Sequence, residues 1–334
     1  MRRLLLLVAC VAAGCGSSGK PFHYPLDDVL RYDAVQVKGT HNSYHVETTD
    51  IPEWEYTMQP LDVQLDQQGV RQVELDLNWI KDDDGVHHHF EVFHVVLADE
   101  GTTCRQFRDC LKTIKHWSDR FPGHLPIYIQ MEAKDGFDPA LADDFFGDLE
   151  GDILAVFPRS RIFTPDELRG SAASLPAALA DGWPTLGQLR GRVLFNFDNR
   201  TDVRTAYTHN LQDLAGRLCF VDSDPTDPFG AISIQNDPMP DAANIAADLA
   251  AHLLVRTRAD SDGVEARAGD YSVFDAALSS GATFISTDFP APVAIVNYAI
   301  TIPDGSPARC NPVTAPPDCT SLALEDPQFV GSSP

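Results

Sequence analysis

The chain has 334 residues, 43% of them apolar, with 49 acidic against 25 basic side chains and a formal net charge of −24. That apolar share is ordinary for a folded protein, and the length suffices for one sizeable core. The acidic balance excludes nucleic acid as a partner, argues against tight docking on anionic membrane, and welcomes cations wherever carboxylates gather.

Residues 1–20 read as an export signal followed by a tether. Arg2 and Arg3 precede the apolar stretch Leu4 to Ala13, which is too short to cross a bilayer as a stop-transfer helix. Cys15 follows Ala12-Ala13-Gly14, precedes the flexible Gly16-Ser17-Ser18-Gly19, and is the expected lipid-modified residue. Cys10, after Leu7-Val8-Ala9, is the alternative, and simple secretion without lipid is the third. In each case the chain leaves the cytoplasm, as a bacterial cell-envelope lipoprotein or a secreted protein.

Export permits disulfides, and the close pairs Cys104/Cys110 and Cys310/Cys319 are the expected bridges. A bridge between 104 and 110 requires Cys104 to lie before the next helix, with Thr102 and Thr103 available as caps. Cys219 sits in an apolar run and reads as a buried free thiol.

Residues 21–302 read as one domain in which short β-branched runs alternate with amphipathic segments. The predicted strands are 34–37, 72–77, 92–95, 127–132, 193–197, 218–221, 253–256 and 283–286. Helices are expected over 107–120, 139–157, 241–252 and 272–279. In the first helix Phe107, Leu111, Ile114 and Trp117 recur at three-to-four spacing, and Pro122 stops it. Such alternation implies a parallel sheet with crossover helices, and eight strands predict an α/β fold closed as a (β/α)8 TIM barrel. The polar stretch 158–192 reads as a loop insertion, and 303–334 as a surface tail pinned by Cys310–Cys319.

Catalytic groups of such a barrel sit where the strands end. His41 and Asn42 follow the first strand. Glu74 and Asp76 stand at i and i+2 of the second, so both face one side, and Val73, Leu75 and Leu77 turn the other side to the helices. His94 lies on the third, Glu132 ends the fourth, and Lys134 lies just beyond. Arg256 and Arg258 close the seventh, and Asp288 ends the eighth. Asn42, Glu74, Asp76 and Glu132 offer only oxygen, which suits a hard cation such as Ca2+. His41 and His94 are then free for proton transfer, while Lys134, Arg256 and Arg258 supply donors for a phosphate. His45 reads as structural. The run His87-His88-His89 reads as a solvated hairpin loop, and Asp260-Ser261-Asp262-Gly263 lacks the spacing of an EF-hand.

Gly39-Thr40-His41-Asn42-Ser43-Tyr44 together with Val73-Glu74-Leu75-Asp76 resembles the signature of calcium-dependent phosphoinositide-specific phospholipases C. Phe93-His94, Ile129-Gln130-Met131-Glu132, Val255 to Asp260 and Ser286-Thr287-Asp288 extend the resemblance over most of the chain, toward the secreted bacterial branch. It implies His41 and His94 as the catalytic histidines. It implies Asn42, Glu74, Asp76 and Glu132 as Ca2+ ligands, and one of Arg256 and Arg258 as a substrate contact. The implied substrate is a phosphoinositide or related phosphodiester. The membrane would be met transiently or through an N-terminal lipid, and the enzyme is expected to act as a monomer. Two departures stand out: Val95 follows His94 where eukaryotic members have His-Gly, and no lysine pair accompanies Lys134, which disfavours a polyphosphorylated inositol. The implied reaction is attack by a neighbouring hydroxyl on phosphorus, its proton taken by Glu74, Glu132 or a histidine, with His41 on a non-bridging phosphate oxygen and His94 protonating the departing oxygen. The alternatives are a glycerophosphodiester phosphodiesterase, which typically has Arg after the first histidine, and a non-catalytic barrel lipoprotein.

Overall fold

The apolar runs become strands in nearly the predicted places. The computed structural model describes residues 24–134, 137–304 and 307–325; the expected export signal, with Cys10 and Cys15, lies outside the described residues. The strands are β1 (Val35–Thr40), β2 (Val70–Lys81), β3 (His88–Val92), β4 (Ile127–Ala133), β5 (Val193–Phe197), β6 (Phe220–Val221), β7 (Ile232–Ile234), β8 (Leu254–Arg258), β9 (Phe284–Thr287) and β10 (Ala308–Cys310). Parallel pairing runs β1-β2-β4-β5-β6, and again β7-β8-β9 and back to β1. A single bridge between Asp222 and Ile232 spans β6 and β7. The result is the expected α/β barrel of eight parallel strands, nearly closed.

Two strands change place relative to the expectation. The run 92–95 is not a barrel strand. β2 is 12 residues long and outruns the barrel, and its excess, Leu77 to Lys81, pairs antiparallel with β3 in a hairpin. The eighth barrel strand is instead Ile232–Ile234, whose 3 residues are too few to show a period. His87-His88-His89 forms the end of the hairpin turn and the start of β3, with His88 stacked on Trp79 at 3.8 Å.

Alternation along β2 and β4 sorts the side chains as the period of two requires. Val73, Leu75, Ile127, Ile129 and Met131 are fully buried under the helices. Glu74 and Gln130 sit in register facing the lumen, as do Asp76 and Glu132. At the opposite end the lumen is floored by aromatics, with Tyr128 and Phe284 stacked at 4.3 Å. The lumen is thus apolar below and charged above.

The helix Phe107–Arg120 buries Phe107, Leu111, Ile114 and Trp117, each contributing about 1.5–3 kcal/mol by transfer from water. Cys110 lies in its first turn and bridges Cys104 in the preceding loop, over a Cα–Cα distance of 5.4 Å. The expected threonine cap is absent: the N-cap is Gln106, and Thr102 Oγ1 instead accepts from Cys104 N at 3.2 Å. The stretch 158–192 is not a polar surface loop. It buries Leu175, Leu179, Trp183, Leu186 and Leu189, and Trp183, between two of its short helices, packs on Tyr32 and Phe220 beneath the barrel.

The second bridge, Cys310–Cys319, pins the C-terminal tail as expected. The tail also adds β10 antiparallel to β1 and sends Glu325 inward to a buried pair with Arg71. Cys219 is buried and free. Among the described residues no helix is long and apolar enough to cross a membrane.

Candidate active site at the carboxyl ends of the strands

Segment 39–44 is built as a rigid shelf. A Cβ on Gly39 would stand 1.7 Å from Gln72 Oε1, so only glycine lets the Gln72 amide reach Thr40 O at 3.1 Å. Thr40 Oγ1 and Ser43 Oγ are 2.7 Å apart, and Ser43 Oγ accepts from Glu74 N at 2.8 Å. Asn42 takes the left-handed conformation, φ 41°, which Asn tolerates better than most residues. Tyr44 donates to Asn42 Oδ1 at 3.3 Å. Burial, and then the nearby Asp76 carboxylate, pushes the Tyr44 hydroxyl well above its usual range, so it stays a donor.

His41 Nδ1 stands 2.8 Å from Asp288 Oδ1. Arg258 Nη2 approaches the same nitrogen at 3.2 Å and Asp288 Oδ2 at 3.6 Å. A carboxylate only accepts, so the shorter contact assigns the proton to Nδ1 and leaves Nε2 as the free lone pair. Burial and then the Arg258 charge hold His41 well below the ordinary imidazole range. Asp288 is raised to about 6 by burial, against the pull of Arg258. Asp260, behind it, accepts from Asp288 N at 2.8 Å.

His94 follows β3, and its Nδ1 stands 3.0 Å from Asp99 Oδ2. The Trp54 ring meets it edge-on at 5.1 Å. Burial, then Lys134, lowers its pKa. A groove of about 420 Å³ opens here, lined by Asn78, His94, Glu132, Lys134 and Asn199.

The two arginines differ. Arg256 is buried, its guanidinium donating to Glu74 Oε2 at 2.7 Å and Ser286 Oγ at 3.1 Å and also to Asn236. Arg258 lies beside His41 and is partly exposed. Lys134 Nζ is 3.1 Å from Asp76 Oδ2 and 3.3 Å from Glu132 Oε1.

Glu74, Asp76 and Glu132 stand on neighbouring strands at the lumen mouth, and Asn42 follows the end of β1, which pairs with β2. Both Asp76 oxygens are buried without a directed hydrogen bond, although Lys134 lies near, and burial raises this carboxyl well above its usual range. Orphaned carboxylate oxygens in an all-oxygen set fit a hard divalent cation. Among the described residues the carboxylates that gather closely enough to share a cation are Glu74, Glu132 and Asp198, beyond β5, one oxygen of each within 4.8 Å of the others; Asp76 is not in that trio. Asp198 Oδ2 accepts from Gln130 Nε2 at 2.9 Å, and burial followed by the Glu74 charge raises its pKa to about 7. Asp99 and Asp198 carry no motif of their own. The period-two register from Glu132 and Gln130 across to β5 was the one signal that could have pointed to Asp198.

Histidines beside carboxylates, guanidinium donors and an all-oxygen acidic set at one barrel mouth are what a metal-dependent phosphodiesterase requires. The family follows from the sequence. The profile of the calcium-dependent phosphoinositide phospholipases C matches residues 86–312, more than half of the chain, and the chain belongs to that family. It is accordingly a Ca2+-dependent phosphoric diester hydrolase that cleaves phosphatidylinositol-type phosphodiesters. The matched span includes His94, Glu132, Lys134, both arginines and Asp288, whereas His41, Asn42, Glu74 and Asp76 precede it.

Solved structures agree on the fold. A calcium-dependent phosphoinositol-specific phospholipase C from the Gram-negative bacterium Pseudomonas sp. superposes with a TM-score of 0.62 at 20% identity, over 86% of this chain and 98% of that one. A Ca2+-dependent phosphatidylinositol-specific phospholipase C from Streptomyces antibioticus gives 0.58 at 20% identity, over 78% and 95%. No curated protein matches the sequence. Neither the glycerophosphodiesterase reading nor the non-catalytic one is better supported.

Proposed function

We propose that the enzyme cleaves its substrate by intramolecular attack, with His41 as base and His94 as acid. The observation that carries this is the pair of His–Asp contacts, His41 to Asp288 at 2.8 Å and His94 to Asp99 at 3.0 Å. Each places the orienting hydrogen on Nδ1 and leaves Nε2 for the substrate. Of the bases open from the sequence, Glu74 is engaged by Arg256 and Glu132 by Lys134, whereas His41 is held through Nδ1 alone, by Asp288 and Arg258, and keeps Nε2 for the hydroxyl.

The hydroxyl next to the phosphorylated carbon attacks phosphorus as its proton passes to His41 Nε2. The bond from phosphorus to the glycerol oxygen breaks, and His94 Nε2–H gives that oxygen a proton. Diacylglycerol leaves, and a cyclic inositol phosphodiester remains, which water can open with the roles reversed. Arg258 holds a non-bridging phosphate oxygen and, through Asp288, the His41 ring. Asn42, Glu74, Asp76 and Glu132, with Asp198 beside them, are the residues that would hold Ca2+. When bound, the ion neutralises charge growing on the phosphate and acidifies the attacking hydroxyl.

Phosphorus NMR of the products from phosphatidylinositol, with and without chelator, tests the reading. A cyclic phosphodiester formed only with Ca2+ is expected, and full turnover in excess chelator would sink the metal assignment. His41→Ala and His94→Ala should each lose on the order of 10²–10⁴ in turnover.

We also infer export and brief contact with lipid by a monomer. Arg2, Arg3, Leu4 to Ala13 and the candidate lipid residues Cys15 and Cys10 support export, as do the two disulfides. Val96 and Leu97, 51% and 94% exposed beside His94, suit contact with lipid. Palmitate labelling of the wild type against Cys15→Ala and Cys10→Ala decides between tether and plain secretion.

A further inference from the structure

His45 lies four residues after His41, is fully buried, and does not reach the groove itself. Both of its ring nitrogens face acceptors. Nδ1 is 2.9 Å from the Tyr56 carbonyl, which can only accept, so Nδ1 carries a hydrogen. Nε2 is 2.9 Å from Asp99 Oδ2 and 3.1 Å from Oδ1. The ring therefore ties the Asp99 carboxylate to the Tyr56 backbone. The oxygen nearest to His45, Oδ2, is also the one that His94 Nδ1 meets at 3.0 Å. His45, Asp99 and His94 thus form one chain that runs from the interior to the groove.

The backbone is arranged to bring them together. Val95 and Asp99 pair across a tight turn, N to O at 2.9 and 2.8 Å, with Leu97 in the left-handed region at φ 63°. The turn carries Asp99 back to the residue it orients. From the other side, His45 N donates to Asn42 O at 2.8 Å and Met58 N to His45 O at 2.9 Å. Val46 N reaches Gly101 O at 3.1 Å, and a Cβ on Gly101 would stand 1.8 Å from Val46 O, so only glycine allows this approach. The loop bearing His41 and Asn42 is therefore locked against the loop bearing His94, with His45 and Asp99 at the seam.

A buried His–Asp pair that served stability alone would not need an oxygen shared with a groove histidine. We propose that His45 is a positioning residue for phosphodiester cleavage: through Asp99 it fixes the His94 ring, with the hydrogen on Nδ1, so that Nε2 faces the departing oxygen. Two donors on one carboxylate hold it at a single rotation. Without His45, Asp99 keeps only the His94 contact, and the two turn together. The proposal rests on the reading of His94 as the acid.

The test compares two inositol phosphodiesters, one with an alkyl alcohol and one with p-nitrophenol as leaving group. An alkoxide needs a proton to depart and a p-nitrophenolate does not, so the ratio of the two turnover numbers reports acid catalysis. This ratio does not depend on the fraction of enzyme that is folded. His94→Ala should lower the alkyl-to-aryl ratio by on the order of 10²–10⁴. His45→Gln and Asp99→Asn should each lower it by about tenfold or more, with KM for both substrates little changed. If His94→Ala shifts the ratio and His45→Gln lowers both turnovers equally, His45 is structural and the proposal is overturned. If His94→Ala itself lowers both equally, the acid assignment is what fails, and the proposal falls with it.

Discussion

Arg256 Nη2 donates to Glu74 Oε2 at 2.7 Å across the lumen, between strands β8 and β2, which do not pair with each other. Both side chains are buried. The arginine charge therefore balances, from the opposite wall, a carboxylate of the proposed cation site. Removing one member of a buried pair leaves the other uncompensated, at a cost of about 3–5 kcal/mol. In chelator, Arg256→Met should lose stability of that order by urea unfolding. Ca2+ should then stabilise the variant more than the wild type, because the ion supplies the missing countercharge. Equal calcium-induced Tm shifts in the two proteins would separate Arg256 from the cation site.

Asp198 offers an oxygen within 4.8 Å of oxygens of Glu74 and Glu132. Asp198→Asn keeps the shape and removes a charge, and affinity at oxygen sites follows ligand charge. The variant should bind Ca2+ roughly tenfold more weakly. Calorimetric titration of the unliganded enzyme reads this without any substrate, and an unchanged Kd would place Asp198 outside the cation's reach.

His124 is fully buried, its Nε2 2.6 Å from Ser118 Oγ, and desolvation lowers its pKa from 6.5 to about 4. Below pH 6.5 the unfolded chain takes up a proton that the folded chain refuses until about pH 4. The stability contributed is present at neutral pH and lost as pH falls through that window, on the order of 3 kcal/mol. His124→Gln, which retains a donor and an acceptor, should flatten the decline between pH 6.5 and 4. Parallel curves for the two proteins would refute the assignment.

Arg71 and Glu325 tie the C-terminal tail into the barrel wall, with Arg71 Nε 3.1 Å from Glu325 Oε2 and Leu125 N 2.8 Å from the same oxygen. Glu325→Ala should destabilise by about 3–5 kcal/mol, and the double variant Arg71→Met, Glu325→Leu should recover most of that loss. Chemical denaturation of the three proteins checks it. A double variant no better than the single one would show that the tail is held by its backbone and disulfide instead.

Local chemistry made much of this protein legible before its structure. The three-to-four apolar spacing of Phe107, Leu111, Ile114 and Trp117 became a helix with the expected ends, 107 and 120. The i and i+2 placement of Glu74 and Asp76 put both in the lumen, because a strand's period is two whatever its partners. Close cysteine spacing marked both disulfides. Errors arose where the information is not local. Nothing in 92–95 says that β2 would outrun the barrel and claim its neighbours as a hairpin arm, and nothing in Ile232–Ile234 announces a barrel strand.

The segment 39–44 shows the division most plainly. The β-branched run before it was enough to place a histidine and an amide, His41 and Asn42, just past the first strand. Only the tertiary structure decided which carboxylate orients each histidine. Asp288 lies 247 residues from His41, and Asp99 reaches His94 by a turn whose second partner, His45, comes from another loop. Sequence sets periodicity and chemistry over a few residues. Pairings across a closed barrel depend on which strands meet, and that is settled by the packing of the whole core.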